Sequence, residues 1–140
     1  MTPAVLLDTA VSPSFLDKSE RNHDRAVDVL ADLTATLVTC EAVIAESCYL
    51  RRAARGAPEA VLQNVERGVF QIPLTLTQGA KPIRALLTKY RSVPMDLADA
   101  CLVHLADVID SGRILTLDDD FDVYRWRKTR RFDRLLRRRG

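Results

Sequence analysis

The sequence is poor in the residues that staple small proteins or bind soft metals. It has three cysteines, Cys40, Cys48 and Cys101. They are an odd number with no C-x-x-C spacing, which argues against a disulfide framework or a thiolate zinc site and leaves buried thiols as the expectation. Histidine occurs twice, at positions 23 and 104. No apolar run approaches the roughly 20 residues that cross a bilayer. The opening "MTPAVLLDTA" lacks a basic region followed by a long apolar stretch, so a cytoplasmic protein is expected. Repeats and low-complexity linkers are missing too. What remains is 140 residues, 47% hydrophobic and 29% charged. That predicts one globular domain, 1–140, with its own core.

Charge is distributed unevenly. The net charge is +2, but nine of the 21 basic residues and one of the 19 acidic residues lie in 125–140. That end carries +8 and the remainder −6. A basic tail, 125–140, on an acidic body suggests a polyanionic partner, with a solvated terminus as the plain alternative. Just before it, "ILTLDDDFDVYR" (114–125) crowds Asp118, Asp119, Asp120 and Asp122 together. Like charges at that spacing repel unless a metal ion, a basic partner or open water relieves them.

Short apolar runs alternate with helical patterns. Strands are expected at 4–8, 36–39, 69–74 and 113–117, with a last short one in "RFDRLL". Pro73 marks the third as an edge or an end. Helices are expected within 12–33 in two pieces, over 41–55, from Pro58 onward, over 77–91 and over 95–110. This is the pattern of an α/β fold with a mainly parallel sheet, in which ligands bind beyond the carboxyl ends of the strands. Asp8 and Asp118 fall at that edge.

Two further carboxylates point inward. On a helix over 41–55, Val43, Leu50, Ala53, Ala42 and Tyr49 lie within about 60° of Glu46. On 95–110, Met95, Leu102, Val103 and Ala106 lie within about 60° of Asp99, while Leu97, Leu105 and Val108 sit opposite. An ionised carboxylate on an apolar stripe is disfavoured without compensation. Simpler roles exist for each residue. Glu46 could pair with an arginine, Asp96 could be a helix N-cap with Asp99 in a capping-box arrangement, and Asp119, Asp120 and Asp122 could be solvated loop residues. Taken together, four convergent acids without a suitable histidine or cysteine describe a site for a hard cation such as Mg²⁺ or Mn²⁺. Such sites serve phosphoryl or phosphodiester chemistry.

In this order, "LLDTA", "LVTCEAVIAESCYLRR", "VPMDLADACLVHLAD" and "ILTLDDDFDVYR" resemble PIN-domain ribonucleases, in particular toxins of the VapC type. The resemblance covers nearly the whole chain. It implies a PIN-like three-layer α/β/α fold with a mainly parallel sheet of about four to five strands. It implies one or two Mg²⁺ or Mn²⁺ ions held by Asp8, Glu46, Asp99 and Asp118, which would also be the catalytic residues. It further implies Asp96 as a frequent additional acid, Thr9 and Thr116 as orienting hydroxyls, and Asp120 and Asp122 as outer members. Ala10 and Val11 depart from the family, where Asn or Ser often follows the first Asp. Hydrolysis of RNA to a 5′-phosphate and a 3′-hydroxyl is implied, as are a homodimer and a cognate antitoxin. Arg125, Arg127, Lys128, Arg130 and Arg131 are candidate RNA contacts.

Other readings remain open at this level. A haloacid-dehalogenase-like phosphatase wants D-x-D after the first strand, where Asp8 is followed by Thr9 and Ala10. A Toprim-type domain wants Glu in place of Asp8. A non-catalytic nucleic-acid-binding module would use the basic tail alone.

Overall fold

The structure, a computed structural model, describes residues 4–8 and 36–136. The helices expected within 12–33, Thr9, His23 and residues 137–139 lie outside the described residues. In chain order the elements are β1 (Ala4–Leu7), β2 (Thr36–Val38), α1 (Glu41–Leu50), α2 (Ala57–Glu66), β3 (Phe70–Gln71), α3 (Leu76–Lys89), α4 (Leu97–Ile109) and β4 (Arg113–Leu115). A 3-10 turn at Asp119–Asp122 follows, then β5 (Arg125–Trp126), β6 (Arg130–Arg131) and β7 (Asp133–Arg134).

Five strands form one sheet in the order β3-β2-β1-β4-β7, and every pairing in it is parallel. β5 and β6 form a separate antiparallel ribbon. The short strands "AVLL", "TLV" and "RIL" are apolar throughout or nearly so, because a parallel sheet is covered on both faces. Alternation along each strand then divides the core. Leu6, Val38 and Ile114 join Ile83 of α3 and Leu102, Val103 and Ala106 of α4 in one apolar cluster. Val5, Leu7, Leu37, Phe70 and Leu115 join Ile44 of α1 and Val61 of α2 in the other. The result is a three-layer α/β/α fold.

Several boundaries differ from those the sequence suggests. The third strand is two residues long and lies at the sheet edge, well short of 69–74. The helix expected over 41–55 ends at Leu50, and Ala53 lies in the following turn. Tyr49 and Leu50 are 61% and 55% exposed, so the apolar stripe around Glu46 is not buried at its far end. A further helical turn here would bury nothing, and short helices depend on burial. The chain instead turns through Gly56 at φ +82 and restarts with Pro58 in the first turn of α2. α4 is buried from Ala98 to Cys101 and beyond, but Leu97 and Val108 are exposed, so its second face is covered only in the middle.

The basic end is also not an appendage through residue 136. β7 completes the sheet beside β4, and Trp126, Phe132 and Leu136 are buried. Gly112 makes room for this. A Cβ there would overlap the Trp126 indole. We therefore expect Gly112→Ala to expel or tilt the only tryptophan and to destabilise the fold by about 1–3 kcal/mol, the usual cost of overpacking. Thermal melts and tryptophan emission check this: a lower melting temperature with red-shifted emission is expected, and an unchanged pair would show that the indole has slack.

Candidate metal centre

The carboxyl edge of the sheet gathers the acids. Asp8 directly follows β1, and its amide donates to the Leu115 carbonyl at 3.0 Å, extending the β1–β4 ladder by one residue. Its position is therefore fixed by the two central strands. Thr116, fully buried just past β4, donates to Asp8 Oδ2 at 2.6 Å and accepts from the Asp118 amide at 3.0 Å. One hydroxyl thus ties two candidate ligands together. Asp118 Oδ1 accepts from the Asp120 amide at 2.9 Å and caps the 3-10 turn.

Asp99 enters from α4. Asp96 is the N-cap of that helix, its Oδ1 accepting from the Asp99 amide at 2.8 Å. The cap places Asp99 in the first turn, buried. One carboxylate oxygen each from Asp8, Asp99 and Asp118 can lie within 4.8 Å of one another. Among the described residues these three make the only group of candidate metal ligands. Glu46, also expected as a ligand, is half-buried and is not one of this group, although the charges of Asp96, Asp8 and Asp118 act on it.

The electrostatics follow from crowding. Burial first, then the charges of Asp96 and Asp8, push the Asp99 carboxyl up to about 8. A hydrogen bond from Tyr124 partly opposes this. Burial, followed by Asp96, Asp8 and Asp118, raises Glu46 above the usual carboxylate range. Asp120 is raised by burial and by Asp118, Asp119 and Asp96. Carboxylates on one side with no cation among them are destabilised in their charged forms. The donor set is all oxygen, which suits a hard divalent cation. No thiol joins it: Cys40 and Cys101 are buried side by side, where the Cys101 thiol and then burial push the Cys40 thiol up.

The neighbouring acids divide. The Asp120 amide serves Asp118, whereas Asp122 and Asp119 turn to Arg134 on β7, at 3.0 and 2.9 Å. The Arg134 side chain is 0% exposed, and it also donates to the Thr116 carbonyl at 3.4 Å. Sequence reasoning missed this arginine because it is one of nine basic residues at that end. It also missed Tyr124, whose hydroxyl donates to Asp99 Oδ2 at 2.9 Å. Thr39, whose hydroxyl donates to the Leu7 carbonyl at 2.8 Å, was likewise invisible among ordinary strand residues.

The candidate RNA contacts divide as well. Arg125 donates to the carbonyls of Asp122, Val123 and Tyr124, closing the 3-10 turn. Arg127 is held by Asp107 and Asp110 at the end of α4. Lys128, Arg130 and Arg131 are exposed.

A fully parallel sheet with three convergent carboxylates beyond its carboxyl edge defines an α/β protein with a centre suited to a hard cation. The chain belongs to the PIN-domain family, whose pattern it matches over residues 5–127. It is also similar to Ribonuclease VapC26 of Mycobacterium tuberculosis, with 28% identity over 116 residues, covering 81% of this chain and 86% of that protein.

The raised Asp99 carboxyl has a consequence for stability. An unfolded Asp loses its proton near pH 4, whereas folded Asp99 keeps it up to about 8. In this window the folded state binds more protons than the unfolded chain, so stability falls as pH rises. In chelator, the melting temperature is expected to drop between pH 4 and 8, and Asp99→Asn should flatten that drop. Parallel melting curves for wild type and variant would contradict the assignment.

Proposed function

We propose that this chain is a divalent-metal-dependent endoribonuclease, the toxin member of a toxin–antitoxin pair, that hydrolyses RNA phosphodiesters to leave a 5′-phosphate and a 3′-hydroxyl. The observation that carries the reading is the convergence of Asp8, Asp99 and Asp118 at the carboxyl edge of a parallel sheet. Membership of the PIN family and similarity to a ribonuclease support it. Asp8, Asp99 and Asp118 would hold Mg²⁺ or Mn²⁺, with Glu46 at its margin. Such an ion supplies a hydroxide at neutral pH and neutralises charge on the scissile phosphate.

The chain's own residues supply the rest. Thr116 orients Asp8 and fixes the Asp118 backbone. Glu46, half-buried with its carboxyl raised by burial and neighbouring charges, is suited to take a proton from the attacking water at its Oε atoms. Lys128, Arg130 and Arg131 are suited to RNA phosphates away from the cleavage point. Their hairpin is tied to Asp107, two turns and about 12 Å along α4 from Asp99. An apolar pocket of about 290 Å³ between α1, α3 and α4, lined by Ala45, Leu76, Leu97 and Cys101, suits a segment of an antitoxin. The reading also includes a homodimer, which follows from the family resemblance, and action in the cytoplasm.

Two measurements test this. In Mg²⁺- or Mn²⁺-dependent cleavage of an RNA pool, Asp8→Asn, Asp99→Asn or Asp118→Asn should each lower the rate by more than the roughly 10–100-fold that removing an outer hydrogen-bond partner costs. Glu46→Gln should cost about 10²–10⁴-fold, the usual worth of a general base. Near-normal cleavage by Asp118→Asn, or full activity in chelator, would sink the proposal. Neutralising Lys128, Arg130 and Arg131 should weaken RNA binding at all sequences, and the salt slope should shrink by roughly 0.7 for each single-strand phosphate that is no longer neutralised. kcat at saturating RNA should hardly change. An unaltered slope would remove the hairpin from the RNA path.

A further inference from the structure

Tyr124 is fully buried and contributes no charge to the acid cluster. Its hydroxyl donates to Asp99 Oδ2 at 2.9 Å. The Tyr124 ring is gripped edge-on by Tyr90 and by Phe121, each with centroids 5.1 Å away. Phe121 packs in turn on Phe132 at 5.3 Å. The backbone is held as well: the Tyr124 amide donates to the Asp120 carbonyl at 3.0 Å. The next amide, that of Arg125, donates to the Tyr90 hydroxyl at 3.0 Å. The donor that meets Asp99 is therefore fixed in place before any ligand arrives.

Asp99 needs such a fixture. The helix cap sets its backbone but does not by itself select a side-chain rotamer. Repulsion from Asp8 and Asp118 favours turning away from them. A buried donor on one oxygen opposes that turn and leaves the carboxylate's remaining lone pairs available. Sequence alone hides this, because Tyr124 and Asp99 are 25 residues apart and the tyrosine sits in a run read for its acids.

We infer that Tyr124 is a positioning residue for the metal centre, its hydroxyl holding the Asp99 carboxylate against Asp8 and Asp118 around a hard divalent cation. This rests on the proposed reading of the trio as a metal site and assigns a partner that the acids themselves do not reveal. Outer hydrogen-bond partners of metal ligands typically change affinity by about 10–100-fold when removed.

The test is a Mn²⁺ titration followed by the paramagnetic resonance of the free ion. It compares wild type, Tyr124→Phe, Tyr124→Leu, Asp99→Asn and the double variant Asp99→Asn with Tyr124→Phe. Tyr124→Phe keeps the ring and its edge contacts and removes only the hydroxyl. Its Mn²⁺ dissociation constant is expected to rise by roughly 10–100-fold. Tyr124→Leu should weaken binding at least as much, and the double variant should bind no worse than Asp99→Asn alone. In cleavage assays at low Mn²⁺, Tyr124→Phe should lower kcat with little change in KM for RNA, and excess Mn²⁺ should restore it. If Tyr124→Phe binds Mn²⁺ within twofold of wild type while only Tyr124→Leu is impaired, the tyrosine merely fills space and the inference is overturned. If wild type and Asp99→Asn bind Mn²⁺ equally, the metal reading itself fails and takes the inference with it.

Discussion

Mutual repulsion among carboxylates at one edge of a parallel sheet is the constraint around which the rest of this molecule is arranged. Asp8, Asp99 and Asp118 reach that edge from β1, from the first turn of α4 and from the loop after β4. Each is held there by a hydrogen bond that would be unnecessary if the charges attracted one another. Thr116 holds Asp8 and the Asp118 backbone, the Asp96 cap sets the Asp99 backbone, and Tyr124 holds the Asp99 carboxylate. These bonds come from three different parts of the chain, so no single local motif builds the site. Burial first, and then charge crowded in this way, raises Asp99 and Glu46 and prepares an oxygen-rich place for a cation.

The basic end answers this cluster in two ways. Arg134 is buried and paired with Asp119 and Asp122, whose own side chains reach solvent. Those two acids are therefore taken up by the scaffold and draw the 3-10 turn against β7. That turn also delivers Phe121 and Tyr124 to the core. Arg125 and Arg127 are likewise engaged by the backbone and by α4. Among the described residues of this end, the exposed part of the hairpin is what is left for a polyanion, and it lies toward the far end of α4 from the acid trio. Of the +8 read from the sequence, the charges of Arg125, Arg127 and Arg134 are thus engaged within the fold.

Much of the architecture was legible because strand and helix periods are strong signals where both sheet faces are buried. "AVLL" and "RIL" read as strands, and Asp8 follows at the predicted edge. The inward bearing of Asp99 was legible from its apolar neighbours at helical spacing. The length of α1 was not, since "RRAAR" continues a helical pattern that packing does not reward. The last short strand in "RFDRLL" was legible and is β7, but the ribbon at 125–131 was not, because alternation is masked there by arginines and a single glycine, Gly112, admits the Trp126 indole. Hydrogen bonds such as Tyr124 to Asp99 join residues far apart in sequence, and no spacing rule announces them. Thr9 lies outside the described residues, so its expected role stays with the sequence.

The central claim is that a bound cation relieves repulsion among these acids. It is tested most directly by four thermal melts, with wild type and Asp99→Asn each in chelator and in Mn²⁺. Binding only to the folded state at a hundred times the dissociation constant adds about 2.7 kcal/mol, a rise of several degrees for a domain of this size. Wild type should show that rise. Asp99→Asn should melt higher than wild type in chelator, because the variant no longer has to hold either an extra proton or a repelling charge in this buried place, and should gain little from Mn²⁺. A variant less stable than wild type in chelator that gains as much from Mn²⁺ would contradict the claim and leave Asp99 as a structural residue of the α4 N-terminus.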